Sequence, residues 1–283
     1  MSQRLTRGIR GNSLRTNAPM TNDQLMAVAP SVFAEKPFHD RSSKYAFTST
    51  LEQIEALRDH GFEPFFAAQS TTRIEGKEAH AKHMIRLRKP EAIALPEAKE
   101  IVLVNDSSGM TSNIACMGMI RFVCQNGLMT GSNIQELRVP HRGNAMDEVI
   151  EGVYTILGQS ERVDESMDGM KSLTLTGDEQ RLFAQEAIRL RWGDEAPIEP
   201  ERVLMTRRFE DRQPTLWNVF NRTQENLIRG GLYGRTKTNR NMTTRPINSV
   251  DESVRVNRGL WDLADDFRLF RESKSLEREL SAI

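Results

Sequence analysis

The chain has 283 residues, 38% hydrophobic and 28% charged, and its 39 lysines and arginines are balanced by 39 aspartates and glutamates. This is the composition of a soluble globular protein long enough for one large domain or two ordinary ones. A formal net charge of zero excludes a bulk electrostatic pull toward nucleic acid or membrane, so any such attraction must arise from local asymmetry.

Residues 1–30 read as a flexible basic arm. Arg4, Arg7, Arg10 and Arg15 occur within 1–22 without an acidic neighbour, among Asn, Gly and Ser, and no apolar stretch follows them as a secretory signal would require. An α+β region is expected over 31–142. "KYAFTST" (44–50) alternates as a strand does. "TLEQIEALRDHG" then places Leu51, Ile54 and Leu57 on one helix face, with Ser49–Glu52 or Thr50–Gln53 as the capping box and Gly61 as the stop. Strand candidates follow at 62–72, 79–88, 100–106 and 110–118, separated by Glu75-Gly76, Pro90 to Pro96 and Ser107-Ser108-Gly109. Residues 117–131 are open to either reading, and Met119, Ile120, Val123 and Leu128 favour a buried helix over a strand. An edge strand over 134–141 ends at Pro140. Strands joined through short breakers imply an antiparallel sheet with helices on one face.

From Asn144 the period becomes helical, so 143–272 is expected to be a helical region packed on the first, with 273–283 as a tail. Met146, Val149, Ile150, Val153 and Leu157 form one stripe, and Thr176 with Glu179 opens a helix carrying Phe183, Ala187 and Leu190. The Pro-containing stretch 193–214 holds a short basic helix candidate, "ERVLMTRRF". Leu216, Phe220, Thr223 and Leu227 align in a helix that stops at Gly230, and Ser249 with Glu252 caps the last, through Val254, Trp261, Ala264 and Phe267. The helical spacing of Trp217, Phe220, Trp261, Phe267 and Phe270 marks them as the core joining the last two helices.

The search for catalytic chemistry yields little. His80 and His83 form H-x-x-H, but on a strand positions i and i+3 face opposite ways and no further ligand stands nearby. Cys116 and Cys124 form no C-x-x-C pair, a cytosolic pattern, and Cys124 reads as a buried structural thiol. No G-x-S-x-G or P-loop is present, and the acids of the α+β region fall mostly in turns. No run of about 18 apolar residues occurs, so no helix is expected to span a membrane. A cytoplasmic protein is expected, with no catalytic residue, metal or cofactor.

Binding chemistry is better represented. "RGGLYGRTKTNRNMTTR" (229–245) carries Arg229, Arg235, Lys237, Arg240 and Arg245 without one acidic residue. Asn239, Asn241, Thr236, Thr238, Thr243 and Thr244 supply short hydrogen-bonding groups of the kind that contact phosphates, and Tyr233 offers a stacking face. Lys82, Arg86 and Arg88, at even spacing, put three cations on one face of one strand. The competing readings of 229–245 are a solvated loop and a lid that binds a protein partner.

Three stretches, "RFVCQNGL" (121–128), "LWNVFNRTQENLIRGG" (216–231) and "RPINSVDESVRVNRGLWDLAD" (245–265), resemble in order and wording a family of phage-, plasmid- and prophage-borne bacterial proteins catalogued as a domain of unknown function, number nine-three-two. The resemblance covers roughly 30–270. It carries no agreed catalytic residues and implies the company of mobile DNA, replication, recombination and defence genes. The element order helix, three strands, helix over 51–128 also resembles the core of single-strand annealing proteins, which implies oligomers holding single-stranded DNA in a basic groove. The expectation is a non-enzymatic, self-associating protein for single-stranded DNA. A module acting on a host defence or replication protein is the alternative, and a nucleic-acid enzyme the third reading.

Overall fold

The computed structural model describes residues 13–38, 45–106, 108, 112–123, 126–131, 137–139 and 145–280. Two compact units make up the chain. The first comprises 1–129, 134–159 and 248–253, the second 130–133, 160–247 and 254–283.

The first unit is built on an antiparallel sheet. It contains β1 (Ser13–Arg15), β2 (Glu63–Gln69), β3 (His83–Arg88), β4 (Glu97–Asn105), β5 (Asn113–Arg121) and β6 (Asn126–Met129), adjacent in chain order, and β7 (Leu137–Val139), which also pairs with β5. The helices of this unit are α1 (Asn22–Val28), α2 (Thr50–Arg58) and α3 (Ala145–Leu157). Ser49 caps α2 by accepting the Glu52 N–H at 3.3 Å. Thr21 and Gln24 form a reciprocal capping box on α1. The α+β class with an antiparallel sheet stands as read, and the differences from the sequence reading are local.

Residues 13–30 are not a flexible arm. Leu14, Met20, Leu25 and Val28 are buried, and β1 pairs with β2 from Ser13 opposite Ala68 to Arg15 opposite Phe66. Residues 1–12, with Arg4, Arg7 and Arg10, lie outside the described residues. The 45–49 stretch pairs with no strand; its Thr48 is buried instead and accepts a hydrogen bond from Asn113 Nδ2 at 2.7 Å. The helix favoured over 117–131 is replaced by the end of β5 and by β6. Met119 and Ile120 are both about 1% exposed, so strand alternation is hidden where both faces are buried. Cys116 is buried, and Cys124 lies outside the described residues.

A buried polar chain joins the sheet to its helices. His83 is fully buried, with Nδ1 2.7 Å from Ser31 Oγ and 3.1 Å from the Ala81 carbonyl, and Nε2 2.8 Å from Thr50 Oγ1. The Ser31 hydroxyl donates to Gln69 Oε1 at 2.7 Å, and Asn105 Nδ2 donates to Thr50 Oγ1 at 2.8 Å. These directions assign a neutral ring, with Nδ1–H donating and Nε2 accepting. Burial pushes the His83 pKa down to about 4, against the smaller upward effects of the Ala81 carbonyl and the Asp106 charge.

On the same strand Arg86 and Arg88 are 4% and 1% exposed and share buried Glu100, at 2.7 and 2.8 Å. Arg88 lies over the Phe65 ring at 3.8 Å and the Phe122 ring at 5.2 Å. Arg86 runs across β6, donating to the Leu128 carbonyl, and a Cβ at Gly127 would stand 2.2 Å from its Nη1. Gly127 is therefore required for the close approach.

The second unit is mainly helical: α4 (Ser160–Ser172), α5 (Gly177–Trp192), α6 (Pro200–Val203), α7 (Leu216–Arg229) and α8 (Val250–Leu280), whose first turn belongs to the first unit. Between α7 and α8 lies a hairpin of β8 (Tyr233–Arg235) and β9 (Asn241–Thr243). The apolar stripe of α4 is too sparse to mark a helix in the sequence, since it buries only Val163, Ser166 and Met170. The "ERVLMTRRF" helix is reduced to α6 and a separate 3-10 turn, Phe209–Asp211. Phe220 meets Trp217 at 5.8 Å and Trp261 at 6.1 Å, and Phe183 meets Phe267 at 6.1 Å, but Phe270 is 60% exposed and no part of this core.

Two measurements test the buried groups. The folded pKa of His83 lies below the unfolded one, so its stabilising contribution is present above pH ~6.5 and is lost as pH falls toward ~4. Urea unfolding at about pH 7 and about pH 4.5 should show a loss near 2–3 kcal/mol that His83→Gln abolishes. Glu100→Gln, which strands two buried guanidinium groups, should cost about 3–5 kcal/mol in the same assay at neutral pH.

Candidate nucleic-acid interface

The geometry of the 229–245 region begins in α7. Thr215 caps the helix by accepting the Asn218 N–H at 3.3 Å, and Gly230, at φ 64°, ends it. Every residue from Leu216 to Leu227 except Asn218 is buried, including the polar run Asn221-Arg222-Thr223-Gln224-Glu225-Asn226. Burying such groups is costly without partners, and two of them staple neighbouring segments to the helix. Glu225 takes both amino groups of Arg208, at 2.6 and 2.8 Å, and Nε of Arg229 at 3.1 Å. Asn226 donates to the carbonyls of Val203 and Met205 at 2.8 and 2.9 Å, and accepts from Arg207 Nε at 2.7 Å.

The chain then enters the hairpin, whose base is fixed by backbone bonds. The Gly231 N–H donates to the Thr244 carbonyl at 2.9 Å and the Thr244 N–H to the Leu232 carbonyl at 2.9 Å; both Leu232 and Thr244 are buried. Arg191 donates to the Leu227 carbonyl and, at 2.6 Å, to the Arg245 carbonyl. At the tip the Thr236 N–H donates to the Arg240 carbonyl at 2.9 Å, Asn239 adopts the left-handed conformation at φ 59°, and Arg235 Nη1 donates to Asn239 Oδ1 at 2.8 Å. Asparagine tolerates that conformation better than most side chains.

One edge of the hairpin is seated on 196–199. The Arg235 N–H donates to the Pro197 carbonyl at 2.8 Å, and a Cβ on Gly234 would lie 1.9 Å from that oxygen. Beside this seat is an open groove of about 400 Å³, bordered by Ile198, Glu199, Arg202, Tyr233, Arg235 and Asn241. The Tyr233 ring is 71% exposed.

Residues 37–261 match the family described as "Domain of unknown function (DUF932)". The chain belongs to the DUF932 family. Two proteins of Escherichia coli (strain K12), UPF0380 protein YafZ and UPF0380 protein YfjQ, are each 40% identical over 255 residues, spanning 90% of this chain and 93% of theirs. Neither name states an activity. No solved structure matches.

In this DUF932 chain the residues expected to bind divide sharply. Arg229, Tyr233, Arg235, Lys237, Arg240 and Arg245 are all exposed and lie along one hairpin and its base. Arg229 is held by Glu225, and Lys237 pairs with Glu195. Among the described residues no carboxylate pairs with Arg235, Arg240 or Arg245. The strand-borne set is different, and the structure corrects it. Arg86 and Arg88 are buried on Glu100, and Lys82, 16% exposed, pairs with Asp251 at 2.7 Å. Even spacing identifies a common face but not whether that face is open; Glu100, on the adjacent strand, turns Arg86 and Arg88 inward, while Lys82 is half-buried and held by Asp251. His80 lies in a 3-10 turn and His83 in β3 within its polar chain. No described helix is long and apolar enough to cross a membrane.

The seat of the hairpin is testable. Gly234→Ala, which places a methyl against the Pro197 carbonyl, should lift β8 and speed hydrogen exchange at the Arg235 amide by about tenfold or more, without moving the global unfolding transition of the unit.

Proposed function

We propose that this DUF932 protein is a non-enzymatic, cytoplasmic nucleic-acid-binding protein of a mobile element, and that it takes single-stranded DNA on the β8–β9 hairpin. The observation that carries the reading is the exposed Tyr233 ring, set among Arg235, Arg240 and Arg245 on a hairpin whose base is locked. Arginines free of carboxylate partners gain a phosphate contact without first breaking an ion pair, and an exposed aromatic ring stacks on any base. Asn239, Asn241, Thr238 and Thr243 add hydrogen-bonding groups suited to phosphate oxygens. With a handful of contacts per chain, self-association supplies the multiplicity that strand binding or annealing needs. The resemblance to mobile-element proteins supports the cellular setting.

Fluorescence anisotropy of a labelled single-stranded oligonucleotide, beside a duplex of equal length and over a range of salt, tests the proposal. About four phosphate contacts give a slope of log affinity against log salt near −3. Reversing Arg235, Arg240 and Arg245 to Glu should lower the magnitude of that slope by about 2 and weaken binding at least about tenfold. An oligonucleotide that fails to bind at low salt, or binds equally well to the triple variant, removes the proposal.

A further inference from the structure

The hairpin is not the sole place in the second unit where an aromatic ring stands out among arginines. Phe209, in the 3-10 turn after α6, is 75% exposed, more than any other large apolar side chain among the described residues, and Tyr233 is next at 71%. The Phe209 ring carries the Arg212 guanidinium 5.1 Å from its centroid, and Arg202, Arg207 and Arg212 are exposed in the same stretch. Met205 adds an apolar neighbour at 54% exposure. A phenyl ring this exposed contributes little burial to the fold.

Internal bonds of the unit fix this turn to the root of the hairpin. Asn226 holds the Val203 and Met205 carbonyls together with Arg207, and Glu225 holds Arg208 and Arg229 on one buried carboxylate. Arg229 is the residue from which the chain leaves for Tyr233. On the other side Arg202, at the end of α6, borders the groove that Tyr233, Arg235 and Asn241 also border. The 202–212 stretch carries Arg202, Arg207, Arg208 and Arg212 against Glu210 and Asp211, and Asp211 is buried and taken by Arg208 at 2.9 Å. The turn bearing Phe209 and the root of the hairpin bearing Tyr233 are therefore tied to the same end of α7 through Glu225 and Asn226.

We infer that Phe209 is a second base-stacking residue of a single-stranded nucleic-acid track, with Arg202, Arg207 and Arg212 contacting phosphates beside it. This inference rests on the hairpin reading and extends it from one finger to a continuous track. One face of the Phe209 ring is occupied by Arg212; the other is open to a base, which gives a cation, ring, base stack. Two rings separated along the track also imply that a ligand must be long enough to reach both, so affinity should rise with oligonucleotide length until both are engaged.

Phe209→Ala and Phe209→Trp, each confirmed to unfold at the wild-type temperature, are titrated with the same labelled single-stranded oligonucleotide in a series of lengths. Loss of one stacked base predicts that F209A weakens binding of the longest oligonucleotide by about 5- to 150-fold, leaves the salt slope unchanged, and levels off at a shorter length than wild type. F209W should retain affinity, and its indole emission should be quenched on binding beyond any change shown by wild type. If F209A binds as wild type does and F209W shows no added quenching, while the Arg235/Arg240/Arg245 reversal still weakens binding, this inference fails and the hairpin reading stands. If wild type binds no oligonucleotide at low salt, both fail.

Discussion

A buried carboxylate is costly unless it is paired, and that constraint organises both units of this protein. Glu100 and Glu225 are each about 1% exposed, and each gathers two guanidinium groups: Arg86 and Arg88 in the first unit, Arg208 and Arg229 in the second. An isolated carboxylate in such surroundings would be neutral or would not be buried at all. Once the carboxylate is inside, the arginines that reach it are committed to one geometry, and the backbone segments that carry them are committed as well. In the sheet this fixes how closely β6 can approach β3, with Gly127 leaving room for Arg86. In the helical unit it fixes where the turn after α6 and the start of the hairpin emerge.

The two clusters differ in how far they enclose their arginines. Around Glu100 both arginines are closed off from water. Around Glu225 the carboxylate is enclosed but Arg229 keeps 55% of its side chain exposed, so the pairing anchors the stem while the surface beyond it stays cationic. A hairpin held at its base keeps less conformational freedom than an unanchored basic loop of the same length.

Legibility in the sequence followed the same physics. The antiparallel α+β class and the helices opened by Ser49, Thr176 and Ser249 were readable because alternation and capping are local properties. The β5–β6 region was not, because residues buried on both faces, such as Met119 and Ile120, hide the period that distinguishes strand from helix. The fold of 13–30 was equally hidden: what secures it is Leu14 and Met20 against a partner strand some fifty residues on, which composition does not register. In the candidate interface the cations of 229–245 were visible as a charge asymmetry, whereas their arrangement as a hairpin depends on Pro197 and Arg191, remote in sequence. Arg86 and Arg88 show the opposite failure, since the same pattern of charge is produced by a solvent face and by a buried network. Phe209 carried no signal in the sequence; a lone aromatic near arginines becomes informative only when its exposure is known.

The interleaving of the two units along the chain bears on how the protein comes to be folded during synthesis. The first unit takes its final segment from 248–253, which includes Asp251, the partner of Lys82 at a separation of 169 residues. A ribosome must therefore have made 160–247, hairpin included, before the first unit can be completed, and the second unit still lacks the rest of α8 at that moment. Neither unit corresponds to one uninterrupted stretch of message. The strands of the sheet, from Ser13 to Val139, are all made before the main part of the second unit begins at Ser160, so what the first unit waits for is the opening turn of the last helix and the Asp251 partner of Lys82.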